Sequence, residues 1–371
     1  MFSSRLHWDL RPNPISEVLA QKRAAGDCIL DLTESNPTQA GIEYPVGEIV
    51  EAFATPRMLR YEPNPMGMQA VREALCDDPD RVLLTASTSE AYAYLFKLLS
   101  DPGDEVLVPR PSYPLFEFLA GMELVCVVQY PLVYHGVWEI DFEALRTLVT
   151  PRTRAIVLVN PNNPTGSYLH NYELPRLVEI CREHGLAIIS DEVFSEYSLT
   201  EPQGRVTSLR EVSDVLTFCL SGLSKIAGLP QMKLGWMIVN GPPDLRAAAL
   251  TRLELIADTY LSVGTPVQAA ALKLLEIGQR IKASITLRTR RNLAELQSRT
   301  SVLHVEGGWY ATLHVARVRS EEEWVLGLLQ KGVLVQPGFF YDFPTEAFLI
   351  VSLLPPPDVF DEAVGRIKEC E

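Results

Sequence analysis

No stretch of this chain approaches the roughly 18 uninterrupted apolar residues of a membrane-spanning helix, and the opening Met-Phe-Ser-Ser-Arg-Leu-His-Trp lacks the apolar core of a secretory signal. Cysteine is sparse: Cys28, Cys76, Cys126, Cys181, Cys219 and Cys370 lie far apart with no C-x-x-C pair, which favours buried free thiols over disulfides or zinc. The reading is a cytoplasmic protein. Positive charge is in deficit, with 33 Lys and Arg against 47 Asp and Glu and a formal net charge of -14, so the field of the molecule repels phosphate backbones and anionic surfaces. Neither nucleic acid nor membrane is expected as a partner. There is no G-x-G-x-x-G after the first strand, no G-x-x-x-x-G-K-[ST], no H-E-x-x-H and no G-x-S-x-G, which removes the readings of nucleotide-binding oxidoreductase, zinc protease and serine hydrolase. No repeat, low-complexity tract or charge block divides the chain, and the six histidines read as structural.

What is present is ample apolar material: 371 residues, 47% hydrophobic, enough for a large core and for two lobes. From about 80 to 240, short apolar runs alternate with helical periodicity, the pattern of a parallel sheet covered by helices. Val82-Leu83-Leu84 reads as a strand, followed by a helix with Ala91, Tyr94, Leu95, Leu98 and Leu99 on one face. Further strands are expected at Glu105 to Val108, Leu124 to Val128, Ala155 to Val159, Leu186 to Ile189, Val215 to Leu220 and Leu234 to Val239. After Pro242 long helical stretches give way to strands at Trp309 to Val315 and Phe348 to Leu353, with a helix near 321–330 between them. The fold class is thus α/β, a mostly parallel sheet of about seven strands plus a smaller α+β domain. The expected division is an arm at 1–40 packing with the small domain, a large domain at 41–245 and a small one at 246–371, the arm showing little periodicity.

Ligands of open parallel sheets gather beyond the carboxyl ends of the strands, and four loops there carry chemistry. Asn160-Pro-Asn-Asn-Pro-Thr-Gly166 holds amide side chains in rigid turn residues; read alone it is also an ordinary asparagine-proline turn. Asp191 ends the run Leu186-Ala-Ile-Ile-Ser190, too apolar to leave a charge unpaired at low cost, although a helix N-cap explains it equally well. Lys225 sits in a serine- and glycine-lined loop, where desolvation makes a usable amine nucleophile. Thr85-Ala-Ser-Thr-Ser-Glu90 offers hydroxyls and the free amides of a helix start, an anion site or a plain N-cap.

Together, Asn-Pro-Asn-Asn-Pro-Thr-Gly, Ser-Asp-Glu-Val and Ser-Lys followed by Leu-Gly-Trp resemble, in order and spacing, the fold-type I enzymes that use pyridoxal 5'-phosphate, specifically the class I and II aminotransferases, from Leu32 to the C-terminus. The resemblance implies transfer of an amino group between an amino acid or related amine and a 2-oxo acid. It makes Lys225 the Schiff-base lysine and proton shuttle, and Asp191 the partner of the cofactor's ring nitrogen. It implies that Asn163 binds the cofactor's phenolic oxygen, that Tyr113 stacks on its ring, and that Ser87, Thr88, Ser89, Ser224 and Lys233 surround its phosphate. Tyr61, in Tyr-Glu-Pro-Asn-Pro-Met-Gly67, resembles the tyrosine that reaches the phosphate of the neighbouring subunit, which implies a homodimer. Tyr113 and Tyr61 are equally compatible with core packing. Ser35 and Asn36, in Thr33-Glu-Ser-Asn-Pro-Thr38, resemble the substrate-side loop.

Three positions depart from the family. Lys233 stands where an arginine usually grips the phosphate, exchanging a bidentate fork for a point charge. Phe194 replaces a tyrosine that donates to the cofactor's phenolic oxygen. Ile350 stands where an arginine clamps the substrate carboxylate, and no lysine or arginine occurs from Gly332 to Gly365. Either another arginine, such as Arg5, Arg11 or Arg60, takes the carboxylate, or it is held differently or absent. The alternatives to transamination on the same cofactor are C–S elimination or decarboxylation, and a non-catalytic cofactor-binding regulator.

Overall fold

A computed structural model describes residues 2–6, 8, 11–201 and 203–370. Its centre is an eight-stranded sheet in the order Val82–Thr85, Gly235–Asn240, Thr217–Gly222, Ala187–Asp191, Thr153–Val159, Glu105–Arg110, Cys126–Tyr134, Trp138–Ile140. The five strands from Thr217–Gly222 to Cys126–Tyr134 run parallel; Gly235–Asn240 is antiparallel to both its neighbours, and Trp138–Ile140 folds back on the outer edge as a hairpin. Val82–Thr85, Gly235–Asn240 and Thr217–Gly222 are buried along their whole length and their neighbours along most of theirs, because helices cover both faces, which is why they read as continuous apolar runs rather than alternating ones.

The strand expected at Leu124 starts instead at Cys126. Leu124 itself adopts φ 62°, a left-handed turn residue that closes the preceding helix, so the hydrophobic run is split between a turn and a strand. The arm before residue 40 contains a helix, Pro14–Ala25, that the sequence reading missed. Its apolar stripe is short, Ile15 buried with Val18 and Leu19 half-buried beside it; stronger signals lie at its ends, where Asn13 caps the Ser16 amide at 2.8 Å, Pro14 takes the first position and Gly26 closes it at φ 80°. Leu30 and Asp31 then pair in parallel with Val333 and Leu334, tying this segment to the C-terminal part of the chain.

Beyond the large sheet, the 35-residue helix Thr265–Arg299 leads to a three-stranded antiparallel sheet of Tyr310–His314, Phe348–Ser352 and Gln336–Pro337. The helix Glu321–Gln330 lies between them in sequence and carries a capping box between Ser320 and Glu323. A separate apolar cluster, with Trp324, Leu328, Leu349, Val351 and Phe360 fully or almost fully buried, holds this part together. Among the described residues no helix is long and apolar enough to cross a membrane.

Candidate active site

The carboxyl ends of the central strands open into a cavity of about 360 Å³, and side chains from distant parts of the chain converge on it: Ser87, Thr88, Ser89, Tyr113, Asn163, Asp191, Phe194, Ser224, Lys225, Lys233 and Ser35 all line its wall. Asp191 is the last residue of its strand, in register with Val159 on one side and Leu220 on the other. Its two oxygens accept from the Val193 amide and the Tyr92 hydroxyl, each at 3.2 Å. Burial pushes its pKa up to about 6, and these hydrogen bonds and the charge of Lys225 oppose the rise without cancelling it. No helix follows it, so it is not an N-cap. The next carboxylate, Glu192, faces away into a pocket of its own, accepting from Ser190 Oγ at 2.9 Å, Ser208 Oγ at 2.6 Å and the Leu209 amide at 2.8 Å.

Lys225 lies in the short helix Leu223–Ile226 directly after the strand Thr217–Gly222. The Tyr197 hydroxyl donates to its carbonyl at 2.5 Å, which fixes the backbone from below. Its Nζ is 4.8 Å from the ring centroid of Trp309 and 5.4 Å from that of Phe194. Burial lowers the amine to about 8, partly offset by the charge of Asp191, so that a sizeable neutral fraction exists near neutral pH.

At one end of the cavity the helix Thr88–Leu99 begins. Ser87 is its N-cap, with Oγ accepting from the Glu90 amide at 3.2 Å, and Glu90 returns a carboxylate oxygen to the Ala86 amide at 2.7 Å. The capping role and the anion role coexist, because the first amides of any helix have no intrahelical acceptor. Opposite them lies Lys233, in a left-handed conformation at φ 52° that ends a turn of 3-10 helix. The floor here is bare backbone: a Cβ on Gly235 would come within 3.1 Å of Ser87 C and Thr85 Oγ1, and one on Gly222 within 2.9 Å of the Leu234 carbonyl. Only glycine lets the three strands approach this closely beneath the helix start.

The Asn160–Gly166 loop is pinned at nearly every polar atom. Asn160 donates to the Val206 carbonyl at 2.8 Å and accepts from the Leu169 amide at 2.9 Å, while Asn162 donates to the Pro111 carbonyl at 3.0 Å and accepts from Ser112 at 2.9 Å. Gly166, at φ 70°, presents its carbonyl to the Glu306 and Gly307 amides at 3.1 and 2.9 Å. Nearby, His170 is held between Glu173 at 3.0 Å and Glu306 at 3.5 Å, and the two carboxylates push its pKa up to about 10. Against this fully used background, the Oδ1 of Asn163 is buried and has no partner. A buried amide oxygen left without a donor on a cavity wall fits a ligand O–H or N–H.

Other expected residues do not meet here. Tyr61 is 79% exposed and lines a separate recess with Asn64, Leu261 and Gln268. Asn36 borders an adjoining recess shared with Ser35 and Lys225, but its Oδ1 is engaged by the Thr38 amide at 3.0 Å and hydroxyl at 2.7 Å. Ile350 does not line the cavity; it is fully buried, opposite Thr312 and Gln336 in the small sheet and packed in an apolar cluster with Tyr341 and Phe343. No arginine lines the cavity among the described residues, and Arg60 pairs with Glu62 at 3.9 Å. Sequence reasoning missed Tyr92, Tyr310, Leu115, Phe116 and Leu119 on the wall. Tyr92 was findable, since it falls four residues after Thr88 on a helix whose start had been singled out. Tyr310 carried no such signal.

Comparison with known proteins gives the arrangement its context. The family model for aminotransferase class I and II matches residues 29–367. Glutamate-pyruvate aminotransferase AlaA of Escherichia coli (strain K12) is 28% identical, with 93% of this chain and 91% of that protein covered. Alanine aminotransferase of Mycobacterium tuberculosis (strain ATCC 25618 / H37Rv) is 27% identical over 92% of this chain and 85% of its own length. Among solved structures, alanine aminotransferase from Pyrococcus furiosus superposes with a TM-score of 0.87 at 25% identity, covering 100% of this chain and 99% of that one.

Proposed function

The chain belongs to the class I and II aminotransferases, and from that premise we propose that it exchanges an amino group between an alanine- or glutamate-like amino acid and a 2-oxo acid, using pyridoxal 5'-phosphate held in the cavity beside Lys225. The observation that carries the reading is a buried acid and a buried amine, Asp191 and Lys225, brought from positions 34 residues apart to one cavity, each with its charged form disfavoured by burial. Such a pair is costly for a protein that binds nothing there.

When bound, the cofactor supplies an aldehyde that captures amines and a ring that accepts electrons from the substrate's α-carbon. The protein does the rest. The amides at the start of the Thr88–Leu99 helix, the hydroxyls of Ser87, Thr88, Ser89 and Ser224 and the ammonium of Lys233 hold the phosphate. Asp191 keeps a proton on the ring nitrogen, Asn163 offers its side-chain amide N–H to the phenolic oxygen, and Tyr113 covers one face. Lys225 binds through its amine and, when neutral, takes and returns the proton at the α-carbon; an amine near pKa 8 is well matched to that task. Phe194 and Trp309 shield it from water. The exposed Tyr61 and Leu59 support a second copy as partner, with Tyr61 reaching that copy's phosphate site.

The test is spectroscopic. Added pyridoxal 5'-phosphate should give the purified protein a visible absorption band, and L-alanine or L-glutamate should convert it to the amine form of the cofactor with release of pyruvate or 2-oxoglutarate. Release of free ammonia would replace the proposal by an elimination, and a protein that stays colourless would remove it.

A further inference from the structure

We propose that Tyr92 is a positioning residue for the reaction: by donating its hydroxyl to one oxygen of Asp191, it keeps that buried carboxylate ionised and rotationally fixed for the cofactor's ring nitrogen. The inference rests on the cofactor reading above and adds to it a residue from outside the motifs.

The hydrogen bond spans 99 residues of sequence at 3.2 Å, and the phenol is 2% exposed. Its ring is clamped edge-on against Phe116 at 5.5 Å and 77° and lies 5.9 Å from Phe96, so the hydroxyl has little freedom to turn elsewhere. Tyr92 stands one helical turn beyond Thr88, so the face of the helix that presents hydroxyls and amides to one end of the cavity presents a phenol to the acid at the other. One element thereby sets the distance between the anion site and the carboxylate.

A carboxylate that must remain charged in a buried place needs donors. Facing Asp191 are Tyr92 from the helix, the Val193 amide from its own segment, Lys225 from the short helix after the neighbouring strand, and Tyr113 from the loop across the cavity; the charge of Glu192, turned the other way, acts through space, and Tyr130 faces Tyr92 from a further strand. Burial and Glu192 favour the protonated acid, while Tyr92, the Val193 amide and Lys225 favour the ion. The hydroxyl of Tyr92 is itself held far above its ordinary pKa by burial and by Asp191, so it stays a donor throughout the working range. Lys225 ceases to help when neutral, which is the form its own chemistry requires, and the Val193 amide occupies the other oxygen. Tyr92 is therefore the donor from outside the Asp191 segment that does not switch off.

Two titrations test this on the empty protein and on Tyr92→Phe: binding of pyridoxal 5'-phosphate, and of its 1-deaza analogue with carbon in place of the ring nitrogen, from pH 5 to 9. Losing one charge-assisted hydrogen bond should move the acid limb of pyridoxal 5'-phosphate binding up by about one pH unit, which means about fivefold weaker binding at pH 6, approaching tenfold at pH 5, and converging affinities by pH 8. The analogue should bind both proteins equally within about twofold. Equal weakening of both ligands would assign Tyr92 a packing role and overturn the proposal, as would an unmoved acid limb. A wild-type protein that binds neither ligand would instead sink the cofactor reading. A second measurement requires no Tyr92 variant: infrared difference spectra of wild type against Asp191→Asn should show an ionised carboxylate at pH 7, and a protonated carboxyl there refutes the idea.

Discussion

Asp191→Asn should damage the enzyme and strengthen the empty protein at the same time. The substitution keeps the side chain's shape and an acceptor for the Val193 amide or the Tyr92 hydroxyl, but removes the charge. In the folded chain the acid's pKa lies near 6 instead of its ordinary 3.8, so protonation favours folding; stability is lost as pH rises from about 4 through 6, and the deficit is constant above that. At about 1.4 kcal/mol per pH unit the deficit reaches roughly 3 kcal/mol. Asparagine has no proton to lose, and gives up one acceptor worth about 1 kcal/mol, so the variant should gain up to about 2 kcal/mol at pH 8 and much less at pH 5. With an unfolding entropy of about 2.1 cal/mol/K per residue, that is a rise of about 2 to 3 °C in Tm. Turnover moves the other way, because an unpaired ring nitrogen costs about 2 to 5 kcal/mol, or roughly 30- to 5,000-fold. Differential scanning fluorimetry of the cofactor-free protein at pH 5 and 8, beside an alanine:2-oxoglutarate assay of the loaded one, reads both. A lower Tm at pH 8, or activity within tenfold of wild type, would refute the reasoning.

Three further outcomes follow from the same geometry. Lys225→Ala should lower turnover by at least about a thousandfold, with partial recovery on adding small primary amines, and a loss below tenfold would take the lysine out of the proton transfer. Lys233→Ala should weaken binding of pyridoxal 5'-phosphate about tenfold while Lys233→Arg stays within about threefold of wild type, as measured by absorbance titration; equal effects would place the phosphate elsewhere. His170 gains its charge from Glu173 and Glu306, so its folded pKa, about 10, exceeds its ordinary value; the stability it gives is complete below pH 6.5 and is lost as pH climbs toward 10. His170→Asn should remove that alkaline decline, and melting curves at pH 6.5 and 9.5 that fall equally in both proteins would argue against it.

The large sheet was legible because its strands are buried on both faces and bounded by proline and glycine, so apolar runs and punctuation coincide. The chemistry-bearing loops were legible for a related reason: the ends of such strands are the only places where Asp191, Asn163 and Lys225 escape an apolar run. What stayed hidden depends on tertiary contacts without local periodicity. The Pro14–Ala25 helix rests on a short stripe of Ile15, Val18 and Leu19, and its caps looked like a loop. Leu124 has an apolar side chain in a backbone conformation that hydrophobicity does not encode. Tyr310 reaches the cavity only because the small sheet is set beside the large one, a placement no window of sequence contains.

The substrate's carboxylate is where sequence and structure together say most. The strand Phe348–Ser352 spends position 350 on packing, with Ile350 fully buried between Thr312 and Gln336 and in one apolar cluster with Tyr341 and Phe343. The polar groups that do face the cavity on this side are the hydroxyls of Ser35 and Tyr310. Neutral donors are roughly half as strong as charge-assisted ones, so recognition of a carboxylate through them would be weak and divisible. Ser35→Ala should then raise KM for the amino donor about three- to tenfold with kcat changed less than twofold, because the contact is made alike in ground and transition states. Steady-state kinetics with L-alanine reads the split, and the amine lacking the carboxylate serves as the control whose KM must not respond to the substitution. An unchanged KM for alanine would move the carboxylate away from Ser35, and a fall in kcat alone would make the serine part of the proton transfer instead.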